Sequence, residues 1–498
     1  MNSSLYIGAT GMKGLAEGMH VTTNNLANVS TIGFKKQDIL FSDVLYQTQA
    51  SMGNWWNAQD DSRVAIGQVG MGLQIEAVRT SYTQGALEST NNMTDLAING
   101  KGFFQVTDGQ NTYYTRAGDF VTDNQGVWRN PQGYALNGYR IDADGSRGEL
   151  APVQIDRFGT LAPKATTEVS LSVNVANNAD TSVNSENPFF SLLQSYDATK
   201  SSPVSSAFSQ AMTLYDETGK AHTVNAYFDG APSANGSKYT EFIIADEQSV
   251  TTGENGEIVY PEKGAGLLLA GTLEFDAQGN LKNVSAFSPA VKGSQNLEDW
   301  IAADIENGNP VFELDGSRVS LNFGVSAEGW ANAPASAAEV GQNASLLPGM
   351  DNPSISAEFP TTAFATTSFS NSYKQNGYAE GFLSNTSIST EGVISGLYSN
   401  GETVDLWEIP LCRFTSEDGL RREGNNLFAA TEEAGMMEIG SAGSENFGTI
   451  NAYNIENSNV DLAQEMVNMI INQRGFQSNS KVVTTADQLL QKAMEIKR

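Results

Sequence analysis

The chain has 498 residues, more than one ordinary core accommodates, and its 40% hydrophobic and 17% charged content fits roughly two to four folded domains rather than a disordered chain. A formal net charge of −29 argues against nucleic acid or anionic lipid as a partner, because phosphate binding calls for clustered Lys and Arg. The single cysteine, Cys412, excludes an intrachain disulfide, two histidines make a His/Cys metal site unexpected, and no apolar run reaches the about 18 residues of a membrane span.

The charge is unevenly placed. Residues 1–36 carry Lys13, Lys35 and Lys36 against Glu17. Residues 457–498 carry Arg474, Lys481, Lys492, Lys497 and Arg498 against Asp461, Glu465, Asp487 and Glu495. These near-neutral ends flank a strongly acidic body, so the ends read as segments to be buried and the body as one that stays in water. No charged segment followed by an apolar stretch and a cleavage site is visible at the N-terminus, so any export is expected to proceed without a cleavable signal peptide.

The first segment is helical by period, since Leu5, Met12, Met19 and Leu26 recur every seven residues. It ends in "NNLANVSTIGFKK", Asn24 to Lys36, whose Asn and Gly residues tolerate the left-handed backbone that stops a helix. Leu26, Val29, Ile32 and Phe34 run through this polar turn and require something to pack against. Residues 37–74 read as a linker or hairpin. Within it Trp55 and Trp56 stand in a polar, turn-rich stretch and suit a contact with another subunit.

From 75 to about 455 the pattern is β. Short apolar runs alternate with turn signals at Asp108-Gly109, Asp123–Gly126, Asp144-Gly145, Asp216–Gly219, Asp276–Gly279, Asp315-Gly316, Glu391-Gly392 and Asn400-Gly401. Composition shifts near 151–171 and 359–372 mark 152–365 as an inserted outer β region, as one domain or as two subdomains meeting near 300. The flanks 75–151 and 366–456 then form one discontinuous inner β domain. The last segment repeats the seven-residue row through Leu462, Met469, Phe476, Val483 and Leu490, widened by Met466 and Ile470, with Ser458 or Asn459 able to cap its start. Two terminal helices with such rows are expected to pair as a coiled coil, which makes the fold mainly β, nested by insertion, with paired N- and C-terminal α-helices.

Candidate chemistry is sparse. The calcium-loop-like "DADGS" at 142–146 lacks the acidic residue twelve positions on, since position 153 is valine. "GKGFF" at 100–104 has no following helix for a phosphate. His20 and His222 stand without a Ser or Cys motif, and Cys412 reads as a buried thiol. No catalytic set, metal or cofactor is expected, and the chain reads as a non-enzyme.

Four blocks carry a resemblance. "NNLANVSTIGFKK" closely resembles the N-terminal signature of bacterial flagellar rod and hook axial subunits. "QGALESTNNMTDLAINGKGFF" at 84–104, "YTRAGDF" at 114–120 and the tail 459–491 are similar to three further blocks of that family, in the same order. Rod members have little between the flanks, so the long insertion resembles the hook branch.

The resemblance implies a non-catalytic subunit of a hollow, bending helical tube that carries motor torque from rod to filament. Terminal helices would line the channel, with β domains outside. It also implies a homopolymer located in the flagellum outside the cell. Its partners would be the distal rod protein, the hook cap protein, the hook–filament junction protein and the flagellar type III export apparatus, without nucleic acid or membrane insertion. The expected interface residues are Leu5, Met12, Met19, Asn24, Asn25, Leu26, Ala27, Asn28, Gly33, Phe34, Lys35, Trp55, Trp56, Leu462, Met466, Met469, Ile470, Phe476, Val483 and Leu490. Two other readings stand beside this one: a distal rod-type subunit, and a secreted acidic β protein that binds or hydrolyses glycans. Paired apolar termini have no role in the latter.

Overall fold

The structure is a computed structural model that describes residues 2–44, 47–48, 68–142, 144–176, 186–200, 203–234, 236–247, 251–252, 258–259, 262–356 and 361–496. The chain divides into two units, one of residues 1–159, 383–398 and 403–498, the other of residues 160–382 and 399–402. All eight turn signals of the sequence close turns whose glycine lies at positive φ, from 79° at Gly145 to 94° at Gly109. A side chain there would be strained, so these positions fix where the strands end. Three of the Asp-x-x-Gly turns share one lock. Asp123, Asp216 and Asp276 each accept, through Oδ1, the backbone N–H groups two and four residues ahead.

The first unit joins the two ends of the chain. Strands Ala135–Ile141, Phe104–Thr107 and Thr112–Thr115 from the front half lie between Thr403–Glu408 and Leu427–Ala429 from the back half, in one antiparallel sheet. Leu96, Ile98, Phe104, Phe120, Trp128, Leu136, Ile394, Ile409, Leu411 and Ile450 fill its core. Cys412 is buried in a second cluster with Phe103, Tyr114, Phe414 and Phe428, where burial pushes its thiol up to about 12, so it is an inert packing group. Strands Gln37–Asp43 and Leu73–Thr80 pair antiparallel, so the described ends of the 37–74 region form a two-stranded ladder.

The second unit holds a six-stranded antiparallel sheet, Phe208–Tyr215 to Trp300–Ala302, and a five-stranded sheet that includes Glu168–Asn174, Asn309–Leu314 and Ser317–Asn322. The two sheets share a core of Val169, Leu171, Met212, Phe228, Phe242, Leu273, Phe312 and Leu321. The chain passes from one sheet to the other just after 302, and both sheets contribute to that core. Strand Phe369–Gln375 pairs with Glu168–Asn174 along its length, which places it in this unit, whereas the composition shift had put 366 onward in the inner domain. The hydroxyl-rich stretch 359–372 is polar because it borders an edge strand, not because it leaves the unit.

Strand Ser237–Asp246 is buried on both faces, which explains the apolar run Phe242–Ala245 within it. Phe242 and Ile244 enter the shared core, while Ile243 and Ala245 pack against Phe189, Phe190, Leu192 and Trp300 on the opposite side. On that second face Glu241 is buried and accepts the Leu192 N–H at 3.1 Å. Burial, with Asp229 opposite on the neighbouring strand, pushes its carboxyl from 4.5 up to about 8. A carboxyl held neutral in the fold but ionised when unfolded stabilises fully below 4.5, and this contribution is lost as pH rises toward about 8. Thermal melts over that range should therefore show stability falling by up to about 1.4 kcal/mol per pH unit from this residue, and Glu241→Gln should flatten the fall. Equal pH slopes for the variant and the parent chain would reject the assignment.

Candidate assembly site

The polar turn that follows the first helix is locked to its own chain. Asn25 is buried and brackets Gln37, donating from Nδ2 to its carbonyl at 2.8 Å and accepting its N–H at 2.9 Å. Asn28 donates to the Asn24 carbonyl and accepts from Thr31 Oγ1, which tightens the helix exit. Gly33 sits at φ +68°, where a Cβ would lie 2.5 Å from the Ala117 nitrogen, so only glycine fits. Its N–H donates to the Glu456 carbonyl at 2.7 Å, and the Asn459 N–H donates to the Phe34 carbonyl at 3.3 Å. The two termini thus leave the β domain side by side. Phe34 is 5% exposed, with the Arg422 guanidinium 5.1 Å above its ring.

Lys35 and Glu456 form a fully buried ion pair. Lys35 Nζ also donates to the Thr83 carbonyl at 2.9 Å, and Glu456 Oε1 accepts the Gly85 N–H at 2.8 Å. Arg116 reaches Glu456 Oε2 at 3.3 Å and the Gly100 carbonyl at 2.8 Å, and stacks 5.4 Å from the Phe103 ring. Burial pulls the Lys35 ammonium and the Arg116 guanidinium below their ordinary values, and the Glu456 carboxylate opposes both shifts. Asn459 completes the junction: its Oδ1 accepts the Lys36 N–H, and its Nδ2 donates to the carbonyls of Ser81 and Thr83. All four blocks singled out in the sequence therefore meet around one carboxylate. Sequence reasoning missed Glu456, Arg116, Arg422 and Asn459. No local signal marked them, because their partners lie hundreds of residues away in the chain.

Part of the turn is thus packed within its own chain. Asn25, Gly33, Phe34 and Lys35 are consumed within the chain, while Leu26 and Asn28 are half-buried and Asn24 and Ala27 exposed. Trp55 and Trp56 lie outside the described residues.

Helix Asn2–Ala27 pairs antiparallel with helix Leu462–Ile496. The seven-residue period holds, but its phase on the first helix is one residue away from the apolar row. Gly8, Gly11 and Gly18 are the buried positions that face the second helix, and Leu5, Met12, Met19 and Leu26 are half-buried beside them. A Cβ on Gly8 would meet Val483 Cγ2 at 2.7 Å, and on Gly11 or Gly18 the side chain of Asn479 or Asn472 at about 3 Å. In return Leu15 fits over Gly475. Small residues bring the backbones close and asparagines fill the gap, so the seam is tighter and more polar than a leucine zipper. Met469, Phe476, Val483 and Leu490 are half-buried. Leu462, Met466 and Ile470 are 51%, 44% and 49% exposed, so those three do not serve the intrachain seam. Asp461, rather than Ser458 or Asn459, caps this helix by accepting the N–H groups of Ala463 and Gln464.

Comparison with known proteins gives four family matches in chain order. They are the flagella basal body rod protein at residues 5–35 and the flagellar hook protein FlgE/F/G D1 domain at 97–180. The flagellar basal body protein FlaE D2 domain follows at 178–378, and the flagellar basal body rod FlgEFG protein C-terminal segment at 452–496. The paired ends and discontinuous β unit are thus those of flagellar rod and hook proteins. The flagellar hook protein FlgE of Treponema pallidum is 29% identical over 504 residues, covering 100% of both chains. That of Escherichia coli is 29% identical, covering 97% of this chain and 96% of its own. With similarity running end to end through the insertion, the chain is similar to flagellar hook proteins over its whole length. The crystal structure of Helicobacter pylori flagellar hook protein FlgE2 superposes on 73% of this chain and 99% of its own, with a TM-score of 0.47 and 15% identity.

Proposed function

We propose that this chain polymerises into the wall of the flagellar hook, a hollow helical tube that bends while transmitting torque, through the uncovered apolar stripe of its C-terminal helix. One observation carries the reading. Met466, Val467, Ile470, Ile471, Val482 and Leu489 are 44–60% exposed along a single helix, although that helix already has its intrachain partner. A stripe of this length on a monomer marks a surface awaiting a partner. A second copy of the chain supplies one, since every copy presents the same helices at its ends. The acidic β units, rich in exposed polar side chains, suit wet outer contacts that exchange as the tube bends. The role is structural and requires no catalytic set.

The same reading extends to the neighbours. The tube would start on the distal rod, grow beneath a hook cap and end at the hook–filament junction. Subunits would leave the cell through the flagellar type III export apparatus without a cleaved signal peptide. Negative-stain electron microscopy of polymer grown from the purified chain tests the core of the reading. Curved tubes are expected, and a chain that forms only monomers or amorphous aggregate under conditions that polymerise other hook proteins would overturn it.

A further inference from the structure

The second unit contains a cluster that the hook reading does not use. His222 opens strand Ala221–Ala234 and is 6% exposed. Its Nδ1 lies 3.3 Å from Asp246 Oδ2, at the end of the neighbouring strand Ser237–Asp246. Its Nε2 lies 3.5 Å from Asp216 Oδ2 and 3.5 Å from Asp315 Oδ2. Asp216 belongs to the turn that precedes His222. Asp315 belongs to the hairpin between Asn309–Leu314 and Ser317–Asn322 of the other sheet, at φ +43°.

Three features of this arrangement point to a cation. A four-coordinate ion with bonds of about 2.0–2.1 Å holds its donor atoms about 3.3 Å apart, close to the two Nε2–Oδ2 separations, whereas a hydrogen bond at 3.5 Å is at its limit. The donor atoms of Asp216, His222 and Asp315 all lie within 4.8 Å of one another. The orientation of two of the ligands is also set from behind. Asp216 Oδ1 accepts Thr218 N–H, Thr218 Oγ1–H and Lys220 N–H at 2.7–2.9 Å, which turns Oδ2 toward the imidazole. Asp246 on Nδ1 fixes the tautomer that presents Nε2, the carboxylate–histidine support found behind metal-bound imidazoles. Lastly, three carboxylates crowd one imidazole, so the cluster stays net negative even around an imidazolium. Lys220 acts electrostatically on Asp246, Lys292 lines the cleft beside Asp246 and Asp315, and Arg318 of the same hairpin pairs with Asp304 and Glu306.

We propose that Asp216, His222 and Asp315 bind one divalent transition-metal ion of the zinc class, with Asp246 orienting the imidazole, and that the ion staples the six-stranded sheet to the five-stranded sheet. The nitrogen ligand disfavours calcium and magnesium, which take all-oxygen shells. Water fills the remaining position, because the Asp315 side chain is 60% exposed and leaves that side open.

The test uses the full-length chain, stripped of metal with a chelator, and Zn2+ alone as probe, with Co2+ as a visible reporter. Calorimetric titration should give one saturable Zn2+ site per chain, bound Co2+ should show the absorption of a nitrogen- and oxygen-ligated ion, and Zn2+ should raise the melting temperature. Asp315→Asn keeps a residue that tolerates positive φ on an exposed hairpin, so the fold survives, and it should weaken Zn2+ at least tenfold and abolish the melting shift. His222→Gln, checked for folding by circular dichroism, should do the same and remove the cobalt spectrum. Absence of a saturable site in the parent chain, or an Asp315→Asn chain that binds as tightly as the parent, overturns the proposal. The latter result would place any bound ion on the acidic surface elsewhere.

Discussion

Replacing Glu456 by alanine should destabilise the first unit by about 3–5 kcal/mol, a large fraction of the stability of a domain this size. The carboxylate is wholly buried and neutralises Lys35 on one oxygen and Arg116 on the other. Its removal leaves two cations in a site that water does not reach, and it orphans the Gly85 N–H that shares Oε1. Salt should not rescue the variant, because buried charges are poorly screened. Removing the charges together is a different experiment. Lys35→Met with Glu456→Met leaves only Arg116 uncompensated and should recover part of the loss, since the cost lies in the unpaired cations rather than in the missing attraction. Urea unfolding gives the comparison directly. A Glu456→Ala midpoint within about 1 kcal/mol of the parent would show that water or Glu417, whose carboxylate already acts electrostatically on Lys35 and Arg116, compensates the site, and the junction would then be no more than a packed turn.

That junction shows where sequence reading reaches its limit. The turns were legible because each depends on a local requirement, a positive φ that glycine meets, reinforced in three of them by an aspartate that binds the N–H groups two and four residues ahead. The pairing of the terminal helices was legible because a seven-residue period is a property of one segment. Its phase was not. Gly8, Gly11 and Gly18 hold the seam, and a count of apolar residues passes over glycine, so the visible row fell one residue to the side. Glu456 was invisible for another reason. Its partners Lys35 and Arg116 stand 421 and 340 residues away, and the helix pairing that brings the ends together does not say which side chains meet beside it. The His222 cluster is hidden in the same way: only Asp216 is near it in sequence, and a scarcity of histidine argued against a metal site that needs just one. The boundary of the inserted unit was misplaced because hydroxyl-rich segments mark edge strands as readily as linkers.

Ile470→Asp should abolish tube formation while leaving the isolated chain unchanged. The residue is 49% exposed, so a carboxylate there meets water in the monomer, and melting temperature and circular dichroism should match the parent. Assembly removes that water. An ionised carboxylate moved into an apolar contact without a partner costs several kcal/mol, and the penalty recurs at every subunit of the polymer. Since each tube contact repeats with the helical lattice, even a fraction of that penalty raises the critical concentration by an order of magnitude or more, at about 1.4 kcal/mol per tenfold. Phe476→Ala separates this surface from the intrachain seam. Phe476 is half-buried beside the glycine-lined contact with the first helix, so its truncation should lower the stability of the monomer as well as assembly. Sedimentation of the purified chains under polymerising conditions, with microscopy of the pellets, reads both effects. Normal tubes from Ile470→Asp would mean that the stripe faces an open channel rather than a neighbour, and the subunit contact would have to be sought on the half-buried apolar edge of the first helix.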